Sequence, residues 1–167
     1  EVIYRPDLMP VARYSGDYHG DPAWKQTPEQ EAEWRKVLAR AEVLLDFDDL
    51  IKEHPLKLSP NLRWVQTTSA GVGQQVVRLG MQDSDVMVTT ASGLHAVPLA
   101  EFVFAALLYH GKRLPHLQAE QRAHHWERFS GRELRGQTMA IVGLGRIGRE
   151  VARLARAFGM TVWAMGR

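Results

Sequence analysis

Cysteine is absent from the 167-residue chain, which excludes a disulfide framework, a thiolate nucleophile and any Cys-based zinc or iron–sulfur centre. A reducing, intracellular compartment is compatible with that absence. Long apolar runs are absent too. The longest, from Ala96 to Tyr109, is interrupted by Pro98 and Glu101 and falls short of the ~20 residues that a membrane span requires, so it predicts a buried helix and no membrane partner. The chain opens Glu1-Val2-Ile3-Tyr4-Arg5-Pro6, without the basic and then apolar regions of a secretory signal. It also lacks an initiator Met, and the strand-like Val2-Ile3-Tyr4 leads us to expect a piece of a longer protein.

A dominant charge is missing as well. The net charge is +2, and 45% hydrophobic with 24% charged residues is the composition of a globular protein rather than of a disordered chain or a coiled coil. The total conceals an asymmetry. Residues 1–93 carry 10 basic and 14 acidic groups, a net of −4, whereas residues 94–167 carry 11 and 5, a net of +6. A basic half can attract a phosphorylated cofactor or a nucleic acid, the alternative being that a complementary surface is missing. Its arginines form no dense run and have little aromatic interleaving, so no nucleic-acid partner is expected.

Short apolar runs alternate with helical patterns along the first half. Thr27-Pro28-Glu29 has the form of an N-cap, a proline at the first helical position and first-turn acids, and predicts a helix to about Arg40. Val43-Leu44-Leu45, Leu62 to Thr67 and Val86 to Thr89 read as strands, with a short helix over residues 73–79 between the last two. This βαβα alternation implies a parallel sheet covered by helices. Pro98 to about Leu114 reads as a helix apolar nearly all round and therefore buried on several sides; Pro115 is expected to bend or end it.

Thr138 to Val142 is a five-residue apolar strand that runs into Gly143-Leu144-Gly145-Arg146-Ile147-Gly148, a G-x-G-x-x-G turn. A helix-period segment to Phe158, a closing Gly159 and a second strand, Met160 to Met165, complete a βαβ unit. In that context Gly143 permits the tight turn, Gly145 lets backbone approach a pyrophosphate, and Gly148 lets the helix pack on the strand. The pyrophosphate then meets the free N–H groups and positive dipole of the helix N-terminus. An acidic residue at the end of the second strand ordinarily binds the ribose 2′-OH of NAD. Here Gly166-Arg167 occupies that place, so no carboxylate repels a 2′-phosphate and a guanidinium can pair with one. NADP is therefore expected to be preferred over NAD, unless Arg167 simply points into solvent.

With these elements in place, three stretches carry a resemblance to the D-isomer-specific 2-hydroxyacid dehydrogenase family, on its glyoxylate/hydroxypyruvate reductase side. Leu62 to Gly73 is similar to the family's substrate loop, Ser92 to Val103 to the entry of its interdomain helix, and Leu134 to Met160 to its cofactor fingerprint. The resemblance implies a flavodoxin-like substrate domain over residues 1–93. It implies an interdomain helix and a partial Rossmann domain over residues 94–167, all with parallel sheets. It also implies a cytoplasmic, homodimeric oxidoreductase that moves hydride between NAD(P)H and a small 2-oxo/2-hydroxy acid.

By the same resemblance, the N–H groups of Ala70 and Gly71 hold the substrate carboxylate, as a Gly-containing turn can; an ordinary βα turn is the alternative. Val103 lies beside the nicotinamide, or is plain core, and Arg146 and Ile147 lie along the pyrophosphate. The family usually has an acidic residue where this chain has Gly73. The family's substrate-clamping Arg, its acid/base His and the Glu that tunes that His lie beyond the cofactor fingerprint, later than residue 167. No catalytic residue and no metal ligand is therefore assigned here. His95, His110, His116, His124 and His125 do not match the family position. His124 and His125 are adjacent and diverge by about 100° on a helix, so they do not make the i, i+4 pair of a metal site. Two other readings stay open: a dinucleotide-sensing, corepressor-like scaffold, and an inactive fragment.

Overall fold

The computed structural model describes residues 1–17 and 19–166. The chain divides into two compact units, Glu1–Ala91 and Ser92–Arg167.

The first unit begins its regular structure with α1 (Pro28–Ala39), and the reason for its start is local. Thr27 Oγ1 accepts from the Gln30 N–H at 3.2 Å while Gln30 Oε1 accepts from the Thr27 N–H at 2.9 Å, a reciprocal cap that satisfies two otherwise orphaned donors. There follow β1 (Val43–Leu45), α2 (Pro55–Leu58), β2 (Trp64–Gln66), α3 (Gly73–Arg78) and β3 (Met87–Thr89). The strands form one parallel sheet in the order β1-β2-β3, with Leu44 opposite Val65 and Val65 opposite Val88. Val65, in the central strand, is fully buried and packs with Phe47, Leu62 and Met81. Leu38 of α1 closes a second cluster with Ile51 and Leu58.

Val2, Ile3 and Tyr4 do not form the strand their residue types suggest. Val2 is 95% exposed, and β propensity without a neighbouring strand and a buried face to pack on does not hold a chain extended in a sheet. Arg5 instead pairs with Asp7 at 2.7 Å beside a short 3₁₀ turn, Pro6–Leu8.

In the second unit, α4 (Ala96–Gly111) and α5 (Leu114–Arg122) precede β4 (Thr138–Val142), α6 (Arg146–Ala157) and β5 (Thr161–Met165). β4 and β5 pair in parallel along their whole length, from Thr138 opposite Thr161 to Val142 opposite Met165. The inward stripe of α6 is Gly148, Val151, Ala152 and Ala155, at helical spacing, and its arginines 149, 153 and 156 take the other face. Ala100 and Ala155, both fully buried, keep side chains short where α4 meets α6, and the Phe104 and Phe158 rings stack at 4.9 Å. Gly159, at φ +71°, ends α6: the Met160 N–H donates to the Ala155 carbonyl at 3.0 Å and the Gly159 N–H to the Arg156 carbonyl at 2.9 Å.

α4 departs from the expectation of burial on several sides. Only Ala100 and Phe104 are buried, whereas Phe102 is 71% exposed, with Val97 and Leu99 also open. α6 and α5 are its helix neighbours among the described residues, and uniform hydrophobicity does not itself supply further cover. Pro115 neither bends nor ends α4. The helix stops before Arg113, which turns left-handed at φ +55°, and Pro115 sits in the first turn of α5, where its missing N–H costs nothing. Among the described residues no helix is long and apolar enough to cross a membrane.

One buried carboxylate ties down the N-terminal segment. Asp17 accepts from Arg13 Nε at 2.7 Å and from the N–H groups of Arg13 and Gly20 at 3.0 and 3.1 Å. The Arg13 guanidinium and these amides hold its pKa well below the ordinary 3.8, against the opposing effect of burial. A lowered carboxylate pKa stabilises fully above the unfolded value and progressively less as pH falls through the folded value. Acid titration monitored by amide exchange is therefore expected to loosen Arg13, Asp17, His19 and Gly20 below about pH 4, and Asp17→Asn is expected to loosen them at neutral pH and flatten that dependence. In the core, Leu38→Ala is expected to cost about 2–5 kcal/mol in urea unfolding.

Candidate functional site

Two turns at strand ends, one in each unit, carry most of the residues singled out from sequence, and Val103 lies on α4. The first joins β4 to α6. The Gly143 N–H still donates to the Met165 carbonyl of β5 at 2.7 Å, so the sheet pairing runs right up to the turn. Gly143 then takes φ +97°, a conformation that L side chains rarely adopt. A Cβ on Gly148 would collide with the Gly143 carbonyl, whereas a Cβ on Gly145 would meet, among the described residues beyond its chain neighbours, no atom within 4 Å. The first glycine is thus required by its backbone conformation and the third by packing. The second is not: its missing side chain leaves open space at the head of α6.

That head is uncapped. Gly145 provides no side-chain acceptor, and the first-turn N–H groups at Arg146, Ile147 and Gly148 have no protein partner among the described residues. Donors left free beside a gap in the packing fit an anionic group such as a pyrophosphate. Arg149 reaches back to the Leu144 carbonyl at 3.1 Å and steadies the turn. Ile147 is 43% exposed. The Arg146 guanidinium donates to the Ser92 carbonyl and lies over Gly93, where a Cβ would strike it, so its side chain is engaged with that turn. Val103 is partly buried against the unit's core and also lines a surface groove with Phe102, Leu107, Arg132 and Gln137. Arg167 lies outside the described residues.

The second turn follows β2 in the first unit. Ala70 and Gly71 are exposed, a Cβ on Gly71 would meet nothing within 4 Å, and neither N–H has a protein acceptor among the described residues. Residues not singled out from sequence hold this turn. Asp46, just past β1, accepts from the Thr68 N–H at 2.8 Å and from Thr68 Oγ1 at 2.5 Å. The buried Thr67 directs its hydroxyl at the Ser69 carbonyl, 3.0 Å away. The signal in the sequence was faint: an acid and two hydroxyl residues immediately after apolar strands, 21 and 22 positions apart.

The histidines are placed structurally. His116 meets the Phe129 ring edge-on, His110 meets Tyr109, and His125 pairs with Glu120, which raises the imidazole pKa and lowers that of the carboxyl. Among the described residues, no three His, Cys, Asp or Glu come together as a metal site.

The glycines give a paired prediction. Gly145→Ala is expected to leave thermal stability within about 1–2 °C, since its cost is confined to backbone freedom, while weakening dinucleotide binding at least about tenfold by filling the space at the helix head. Gly148→Ala is expected to lower thermal stability outright. Thermal melts alongside NADPH titrations read both.

Comparison with known proteins is consistent with this arrangement. Residues 104–167 match the family model "D-isomer specific 2-hydroxyacid dehydrogenase, NAD binding domain". D-3-phosphoglycerate dehydrogenase of Bacillus subtilis is 36% identical over 137 residues, covering 77% of this chain and 26% of that protein. Among solved structures, a D-isomer specific 2-hydroxyacid dehydrogenase family protein from Aeromonas salmonicida superposes with a TM-score of 0.67 at 28% identity, covering 80% of this chain and 42% of that one. D-lactate dehydrogenase from Aquifex aeolicus, solved with NAD and lactic acid, gives 0.61 at 28% identity, with 78% and 40% covered. The chain thus spans about a quarter of the curated relative's length. Residues 104–167 carry the NAD-binding domain match of the D-isomer specific 2-hydroxyacid dehydrogenase family, and the chain as a whole is similar to members of that family.

Proposed function

We propose that the protein is an NAD(P)-dependent oxidoreductase of the glyoxylate/hydroxypyruvate reductase type, passing hydride between nicotinamide C4 and C2 of a small 2-oxo/2-hydroxy acid. The observation that carries this reading is the β4–α6 turn. It combines a left-handed Gly143, a Gly148 with no room for a side chain and an open Gly145 before an uncapped helix. The dinucleotide, when bound, supplies the hydride chemistry. The N–H groups of Gly145, Arg146, Ile147 and Gly148 hold its pyrophosphate, and Val103 flanks the nicotinamide. The Ala70 and Gly71 N–H groups hold the substrate carboxylate and so fix which carbon is presented for hydride transfer.

NADP(H) is the preferred dinucleotide in this proposal because Gly166-Arg167 offers a cation and no carboxylate. The exposed apolar residues of α4, Phe102 foremost, support a homodimer. A cytoplasmic location rests on the family resemblance alone. The name of the Bacillus subtilis relative supports a second reading of the substrate, a phosphorylated hydroxy acid.

The whole protein is expected to oxidise NADPH in the presence of hydroxypyruvate or glyoxylate, followed at the nicotinamide absorbance; a panel of 2-oxo acids, phosphorylated ones included, that gives no turnover would reject the proposal. Arg167→Glu is expected to raise the NADPH Kd about tenfold or more, the scale of one charged hydrogen bond, with the NADH Kd little changed. Equal wild-type affinity for the two dinucleotides would contradict the stated preference.

A further inference from the structure

The turn after β2 is held by a set of side-chain bonds whose effect follows from peptide geometry. A trans peptide is planar, so its C=O and N–H point in opposite directions and fixing one aims the other. Among the described residues no peptide is cis. At the first peptide of the turn, the Gln66 carbonyl accepts from the Asp46 N–H and the Thr67 N–H donates to the Thr89 carbonyl, both at 2.8 Å. At the next, the Thr67 carbonyl accepts from Gln66 Nε2 and the Thr68 N–H donates to Asp46 Oδ1, again both at 2.8 Å. Thr68 Oγ1 donates to the other Asp46 oxygen at 2.5 Å.

At the 69–70 peptide the pattern changes. The Ser69 carbonyl is held from one side by the Ala91 N–H at 3.2 Å and by Thr67 Oγ1 at 3.0 Å. The Ala70 N–H must therefore point the other way, and there it has no protein acceptor among the described residues. Thr67 is 1% exposed. Its single hydroxyl proton lies between the carbonyls of Ser69 and, at 3.2 Å, Thr89, with no bulk water to turn to. Asp46 sits at φ +62°, a left-handed conformation that a residue with a Cβ adopts only at a cost. That conformation accompanies a carboxylate bonded to both the N–H and the hydroxyl of Thr68.

We infer that Thr67 and Asp46 are positioning residues of the substrate turn, fixing the 67–68 and 69–70 peptide planes so that the Ala70 N–H faces the substrate carboxylate before substrate arrives. The inference rests on the substrate role proposed above for Ala70 and Gly71. Neither side chain touches substrate. Preorganising the donor removes the cost of ordering it on binding, so the loss falls on carboxylate affinity rather than on the dinucleotide.

Three variants of the whole protein test it. Thr67→Val keeps the shape and removes the hydroxyl, Thr67→Ser keeps the hydroxyl, and Asp46→Gly tolerates the left-handed backbone while removing the carboxylate. The readouts are KM and kcat for hydroxypyruvate, the Kd of oxalate as a carboxylate probe, and the Kd of NADPH. T67V and D46G are expected to raise KM and the oxalate Kd about tenfold, with kcat and the NADPH Kd within about twofold, and T67S is expected to stay near the wild type. Unchanged KM and oxalate Kd in T67V and D46G would overturn the inference, as would T67S impaired as much as T67V, which would assign the effect to packing. Should T67V fail to fold, D46G decides. A wild-type protein that binds neither oxalate nor any 2-oxo acid would overturn the substrate reading and this inference with it, whereas wild-type binding that the variants leave intact overturns this inference alone.

Discussion

The second unit depends on the close approach of α6 to the end of β4, where the Gly143 carbonyl fills the space that a side chain on Gly148 would need. This contact sets where the helix begins and how its first turn faces the strand end. The remainder follows from it at helical spacing: Val151, Ala152 and Ala155 come inward, Ala155 meets Ala100 of α4, and the Schellman turn at Gly159 returns the chain to β5 in register with β4. With its start fixed by backbone contact rather than by a capping side chain, α6 keeps its first N–H groups free. The same constraint that packs the helix therefore leaves a place for an anion.

The first unit reaches a similar end by a different route. Its turn after β2 also presents N–H groups with no acceptor among the described residues, but it is shaped by groups at neighbouring strand ends rather than by glycines, with the Asp46 carboxylate beyond β1 and the backbone of Thr89 and Ala91 at the end of β3 gripping it. A parallel sheet brings the carboxyl ends of its strands together, which is why three segments distant in sequence can pin one turn.

Much of this was legible in the sequence where the determinants are local. The capped start of α1 at Thr27, the three short strands of the first sheet, and the whole β4–α6–β5 unit follow from caps, glycines and hydrophobic period, all within a few residues of one another. Tertiary cover was not legible. Among the described residues Val2 to Tyr4 have strand-forming side chains and no strand beside them, and of the apolar circumference of α4 Ala100 and Phe104 are buried while Val97, Leu99 and Phe102 stay open. The grip of Asp46 and Thr67 on the turn after β2 also lay outside local reading. The partners are 22 residues apart in the first case, and in the second a hydroxyl bonds a carbonyl that any residue would carry at that position.

The central claim is that the free N–H groups at the head of α6 hold a dinucleotide pyrophosphate. Amide hydrogen exchange of the whole protein, with and without NADPH, addresses it at the atoms concerned. The account predicts that saturating NADPH slows exchange most at Gly145, Arg146, Ile147 and Gly148. NADPH binding that leaves those four amides exchanging as before, or no binding at all, would contradict it.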